Sequence, residues 1–196
     1  MTTPPTSVEE RIVLATIECI ERYGIAGATN RRISQLAAVN AAAINYYFRS
    51  KDNLIRRCKE RTLENAFDLA DMPPMPGLGP QQRCTAIMID LIEGGQRYPG
   101  LTRAHFQDLL EHGQTEPLLE ERINRFVEEL AEDLRARGAT QGPTELRRAL
   151  TQILSATLIA ILAPTLFAPR LGLDMRDAQV RKAYVGQMVN RLLGPA

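Results

Sequence analysis

Four cations, Arg31, Arg32, Arg49 and Lys51, lie close in sequence to Thr29 and Asn40, residues of the kind that cap helix N-termini. A helix start offers unpaired N–H groups and the positive end of a dipole, so two such starts among these cations make a surface for phosphate. Between them, Ala41, Ala42 and Ala43 remove bulk from the outer face of a short helix, and Asn45 adds an amide able to grip adenine. Tyr46 and Tyr47 follow, with hydroxyls suited to phosphate oxygens. The chemistry these residues allow is the binding of a polyanion and the reading of a major groove.

Other reactive side chains form weaker sets. His105, Asp108 and His112 share one helical face and have the donors for a divalent metal, but such a face is more often solvated or hydrogen-bonded, and no metal is assigned. Cys19, Cys58 and Cys84 show neither C-x-x-C spacing nor an even count, which argues for reduced core thiols. No Ser/His/Asp set, glycine-rich phosphate loop or carboxylate pair stands out, so neither catalysis nor a cofactor is expected.

The elements that hold the polyanion surface are helices. Ser7 caps a helix over residues 7–23, with Glu9 and Glu10 in its first turn, Ile12, Ala15, Thr16, Cys19 and Ile20 at helical spacing, and Gly24 as its end. Thr29 opens a second helix with Ile33, Leu36 and Ala37 inward. Val39-Asn40 breaks it, and a third begins at Ala41 with Ile44 and Phe48 inward. Ser50 caps a fourth, from Lys51 to about Ala70, carrying Leu54, Ile55, Cys58, Thr62 and Phe67. Prolines and glycines over 72–80 exclude a continuous helix there. Further helices are predicted over 80–98, 101–112, 116–137, 144–163 and 175–193, giving about nine in an all-α fold with no strand pattern.

Composition agrees with this. Of 196 residues, 44% are hydrophobic and tryptophan is absent, a balance suited to packed helices. The formal net charge is +1, yet residues 1–62 hold ten Lys/Arg against six Asp/Glu while the remainder is slightly acidic. A protein that meets a polyanion at one end has that asymmetry. The opening MTTPPTSVEE lacks an apolar leader core, and the longest apolar stretch, around Leu158 to Ala163, is too short to span a bilayer, so a cytoplasmic protein without a membrane partner is expected.

The pattern Thr29, Ile33, Ala37, Ala38, Val39, Asn40, Ile44, Tyr47, Phe48 and Lys51, extended back through Ile12, Ala15, Gly24 and Ala28 and forward to Leu54, resembles the DNA-binding domain of TetR-family regulators. Ala38 stands where that family usually has Gly, and Asn45 where it usually has Tyr. The resemblance implies a helix-turn-helix domain over 1–55 and a ligand-binding, dimerising domain over 56–196. It also implies DNA contacts from Asn30, Arg31, Ala41, Ala42, Ala43, Asn45, Tyr46, Tyr47 and Lys51. The expected function is a homodimeric repressor of operator DNA released by a small-molecule effector, with the fourth helix as transmitter. The competing reading is a helical ligand- or protein-binding module without DNA binding, since alanines make a poor base reader.

In the body, wide apolar stripes on the last two long helices suit a pairing surface, with Leu150, Leu154, Leu158, Tyr184 and Met188 as candidates. The resemblance implies a four-helix dimer interface at the same place. Met88, Leu91, Ile92, His105, Phe106, Leu109 and Phe126 are the candidates for an effector pocket, although the apolar ones among them are equally the residues of an ordinary core.

Overall fold

Ser7 begins the described part of the chain by accepting a 3.1 Å hydrogen bond from the Glu10 N–H, which starts the first helix where the sequence places it. The computed structural model describes residues 7–63, 67, 69 and 75–194. These form α1 (Val8–Gly27), α2 (Asn30–Ala37), α3 (Ala41–Phe48), α4 (Lys51–Leu63), α5 (Pro80–Arg97), α6 (Pro99–His112), α7 (Pro117–Ala136), α8 (Pro143–Leu162), α9 (Ala168–Leu171) and α10 (Ala178–Leu193). Among the described residues there is no strand, only an isolated antiparallel bridge between Phe167 and Leu173, so the all-α expectation is met. No helix among them is long and apolar enough to cross a membrane.

The chain folds as two compact units. The first contains α1–α4 and α6, so all of α4 and a helix from beyond residue 97 join the 1–55 segment. Its core holds Ile12, Ile20, Ile33, Ile44, Phe48 and Leu54, from the helical spacings seen in the sequence. Leu36 departs from that reading: it is 43% exposed, because α2 has one turn between its buried positions Ile33 and Ala37 and its neighbours cover no wider face. Gly24 does break α1. Its φ of 69° and ψ of 173° are open to glycine and almost nothing else, and the chain resumes helical bonding as far as Gly27.

α5 stops at Arg97, beside the predicted end at 98, and Pro99-Gly100 forms the start of α6, two residues before the predicted 101. Proline suits a first helical turn, where an N–H would be unpaired anyway. The Glu21 carboxylate of α1 accepts the N–H groups of Gly100 at 2.9 Å and Leu101 at 3.1 Å, capping α6 from outside. At Gly100 the two helices meet so closely that an added Cβ would sit 2.7 Å from the Glu21 Cα and 2.8 Å from the Ile20 carbonyl oxygen.

The second unit contains α5, α7, α8, α9 and α10 around Cys84, Met88, Ile92, Phe126, Ile153 and Val185. Asp177 caps α10 by accepting from Gln179 and Val180, so that helix begins at Ala178 rather than at 175. The single turn α9 lies in the segment after Pro164, outside every predicted helix, which makes ten helices among the described residues against the nine expected. The fourth helix is described as far as Leu63, and Phe67, inside the predicted helix, has a left-handed φ of 59° that no α-helix accommodates, so the helix does not run unbroken to Ala70. Residues 64–66, 68 and 70, part of that predicted helix, and 72–74 of the connector lie outside the described residues. The Phe67 ring meets Phe126 edge-on at 5.6 Å within the second unit.

All three cysteines are free and buried, Cys19 and Cys58 in the first unit and Cys84 in the second. Burial pushes the Cys58 and Cys84 thiols up to about 12, so they remain protonated.

Candidate nucleic-acid interface

The turn between α2 and α3 is made by backbone bonds and two side-chain caps. Thr29 accepts from the Arg32 N–H at 3.4 Å, and Asn40 accepts from the Ala42 N–H at 2.9 Å, so both predicted caps are in place. Ala38 adopts φ 51° and ψ 49°, and the following Val39 N–H returns to the Ser34 carbonyl at 3.0 Å. This closes α2 with a left-handed residue, a conformation that costs a non-glycine residue about 1–2 kcal/mol. Ile44 and Phe48 anchor α3 in the core, which fixes the opposite face outward.

On that outer face Ala41, Ala42, Asn45, Tyr46 and Tyr47 are exposed, with Tyr46 at 80%. The two tyrosine rings meet edge-on at 5.2 Å. Ala43 differs from its neighbours: it is half-buried against the unit's core. It is therefore a packing residue more than a reader. On α2, Arg31 is exposed and Asn30 half-buried.

Two of the four cations are already engaged. The Arg32 guanidinium donates to the Gly27 carbonyl at 2.8 Å and lies 4.6 Å from the centroid of the Tyr23 ring, tying the start of α2 to the end of α1. The Lys51 ammonium donates to the Ile25 carbonyl at 3.0 Å, using one of its three protons on the stretch that follows the Gly24 break. Arg49 is exposed and carries a left-handed φ of 63° just past α3. Asn53 holds the same corner by donating to the Phe48 carbonyl at 3.1 Å, while its own N–H is accepted by Ser50. Sequence reading missed Asn53 and the Tyr23–Arg32 pair. The Ser50 cap was a signal for the first, but no local pattern signals the second.

The α6 residues read as a metal-capable face do not act together. His105 is turned to α4, with its Nε2 2.9 Å from the Thr62 hydroxyl, and its buried Nδ1 has no partner among the described residues. Burial first, and then the nearby Lys59 ammonium, lower its pKa to about 4, so the ring is neutral near pH 7. Lys59 is buried between Asp108 at 3.6 Å and Glu116 at 3.2 Å, while His112 is exposed.

The predicted pocket residues are divided between the units. Met88, Ile92 and Phe126 are core residues of the second unit with Leu91 at its edge; His105, Phe106 and the exposed Leu109 belong to the first. A cleft of about 260 Å³ in the second unit runs between α7 and α8, lined by Ile123, Val127, Leu154 and Leu158 with a rim that includes Glu128 and Arg147; none of the pocket candidates lines it. Among the dimer candidates, Leu150 and Leu154 are 1% and 3% exposed, so they are corrected to intramolecular core, covered by the helices that α8 packs against. Leu158, Tyr184 and Met188 are half-buried at the core's edge, and Ile159, not chosen from the sequence, is 49% exposed.

Residues 12–58 match the family described as bacterial regulatory proteins, tetR family. The chain is 38% identical over 61 residues to the HTH-type transcriptional regulator BetI 1 of Chromohalobacter salexigens, an alignment that covers 31% of this chain and 29% of that protein. Two solved structures are similar over nearly the whole length. Salmonella enterica GusR has a TM-score of 0.68 at 17% identity, covering 97% of each chain. A TetR-like transcriptional regulator from Rhodococcus sp. RHA1 has a TM-score of 0.66 at 14% identity, covering 98% of this chain and 100% of that one. At these identities the two structures establish a shared fold.

Proposed function

We propose, from the match of residues 12–58 to the tetR family, that the chain is a dimeric DNA-binding transcriptional regulator, a repressor released from its operator by a small-molecule effector. The observation that carries this reading is the outer face of α3: Ala41, Ala42, Asn45 and Tyr46 are exposed while Ile44 and Phe48 fix the helix from behind. Two capped helix starts and the exposed Arg31 and Arg49 flank that face. Such a unit binds weakly alone, and a dimer gains affinity by meeting two half-sites about 34 Å apart, or a multiple of that distance.

For the dimer, the reading rests on the outer sides of α8 and α10. Leu158, Tyr184, Met188 and the exposed Ile159 extend beyond what the unit's own core covers. For release, an effector must bind more tightly to a conformation whose two α3 helices no longer match the half-sites. We assign that coupling to α4, the helix that follows the reading helix in the chain. By linkage, operator and effector weaken each other's binding by the same factor, typically about 5- to 150-fold.

The test is footprinting of the intact chain on the DNA flanking its own gene. Two protected half-sites on one face of the duplex are expected, with binding that weakens steeply as salt is raised. A folded dimer that protects no sequence and shows no salt-dependent affinity would leave the interaction module without DNA binding as the better account.

A further inference from the structure

The chemical content of the α3 outer face restricts which bases it can read. Between Ala41 and Phe48 there is no Lys, Arg, Asp or Glu. In the major groove, guanine presents two acceptors that Arg or Lys takes, and the cytosine amino group is met by Asp or Glu. α3 has neither kind of side chain. Its first turn offers the bare methyls of Ala41 and Ala42, and the next turn offers the Asn45 carboxamide, all exposed. A methyl matches the C5-methyl of thymine, and a carboxamide can take both the N6 donor and the N7 acceptor of adenine.

The surrounding arginines do not supply the missing guanine reader. Arg32 is held by the Gly27 carbonyl and the Tyr23 ring. Arg49 stands past the C-terminal end of α3, whereas the N-terminal residues of a recognition helix are the ones that reach base edges. Arg31 lies in the first turn of α2, the helix that crosses the phosphate backbone in this motif.

We propose that each operator half-site presents consecutive A·T pairs to α3, with thymine methyls seated against Ala41 and Ala42 and an adenine gripped by Asn45. The preference rests on the DNA-binding reading above and narrows it to a class of sequence. G·C pairs at those positions leave the amide mismatched and the alanine methyls against polar base edges.

The experiment is selection of random-sequence duplexes by the intact chain, followed by binding measurements on the enriched duplex with single base changes. A·T pairs are expected at adjacent positions in each half-site. Replacing a contacted thymine by deoxyuridine removes one methyl and is expected to weaken binding roughly fourfold, the worth of one buried methyl group. Deoxyuridine outside the α3 footprint leaves affinity unchanged. Asn45→Ala is expected to lose preference by about 5- to 150-fold at one A·T pair and not at the others. Enrichment of G·C at the α3 positions, or equal binding of thymine and deoxyuridine duplexes at every position, overturns the proposal while leaving DNA binding intact. If the folded chain enriches no sequence at all, the DNA-binding reading falls and the base preference with it. The deoxyuridine comparison alters only the DNA, so it decides the matter even if Asn45→Ala fails to fold.

Discussion

Gly100→Ala should destabilise the first unit, although alanine is the better helix former. In a helix interior the exchange would be worth up to about 1 kcal/mol in alanine's favour. Here the new Cβ would lie 2.7 Å from the Glu21 Cα, 2.8 Å from the Ile20 oxygen and 2.9 Å from the Glu21 oxygen. All three are backbone atoms of a helix, so α1 and α6 must separate rather than a side chain rotate aside. Overpacking of this kind costs about 1–3 kcal/mol. Separation also lengthens the bonds from the Glu21 carboxylate to Gly100 and Leu101, a cap worth about 1 kcal/mol. The net expectation is a loss of about 2 kcal/mol, or about 4–8 °C in melting temperature for a chain of this size. Thermal and urea unfolding of the native chain, Gly100→Ala, Glu21→Ala and the double variant measure it. The double variant should be destabilised by less than the sum of the two, because both changes break one contact. A Gly100→Ala protein as stable as the native one would refute the close approach of α1 and α6.

Three further outcomes follow from other parts of the molecule. Ala38→Gly should raise stability by about 0.5–1 kcal/mol at unchanged urea slope, because relief of the left-handed strain exceeds the added freedom of the unfolded chain; a lower urea midpoint would contradict the turn. The His105 pKa of about 4 lies below its ordinary 6.5, so the unfolded chain binds the proton more tightly. Its contribution is in place above pH 6.5 and is lost as pH falls towards 4. Between those limits the native chain should lose up to about 3 kcal/mol more than His105→Leu, as urea midpoints across the range would show. Ile159→Glu should shift sedimentation from dimer to monomer without lowering helix content, since the side chain is half exposed within its own protomer; an undisturbed dimer would remove this face from the interface.

The reading domain was legible because its signals are local. Thr29 and Asn40 are capping types at the right places, Ile33, Ile44 and Phe48 recur at helical spacing, and the break between them is short. What escaped depends on distant neighbours. Gly100 looks like punctuation from its flanking proline, yet its role is set by Glu21, far upstream in the chain. Leu36 and Leu154 are apolar residues on amphipathic helices, and only the width of the covering surface decides that the first is exposed and the second buried. Lys51 and Arg32 read as free phosphate ligands because sequence does not show a backbone carbonyl folded back within reach. α9 was missed because a single turn has no period to detect.

The three thiols give the chain a built-in clock for its own opening. A thiolate reacts with alkylating reagents and a protonated thiol does not, and in the folded state Cys58 and Cys84 are both covered and held protonated. Labelling at neutral pH therefore proceeds through transient openings, and its rate at each site reports the local free energy of exposure. Cys19 and Cys58 time the unit that carries α3, while Cys84 times the other. On the proposed function, adding operator DNA should slow the first pair, and the opening of each unit is read on one gel without any engineered probe.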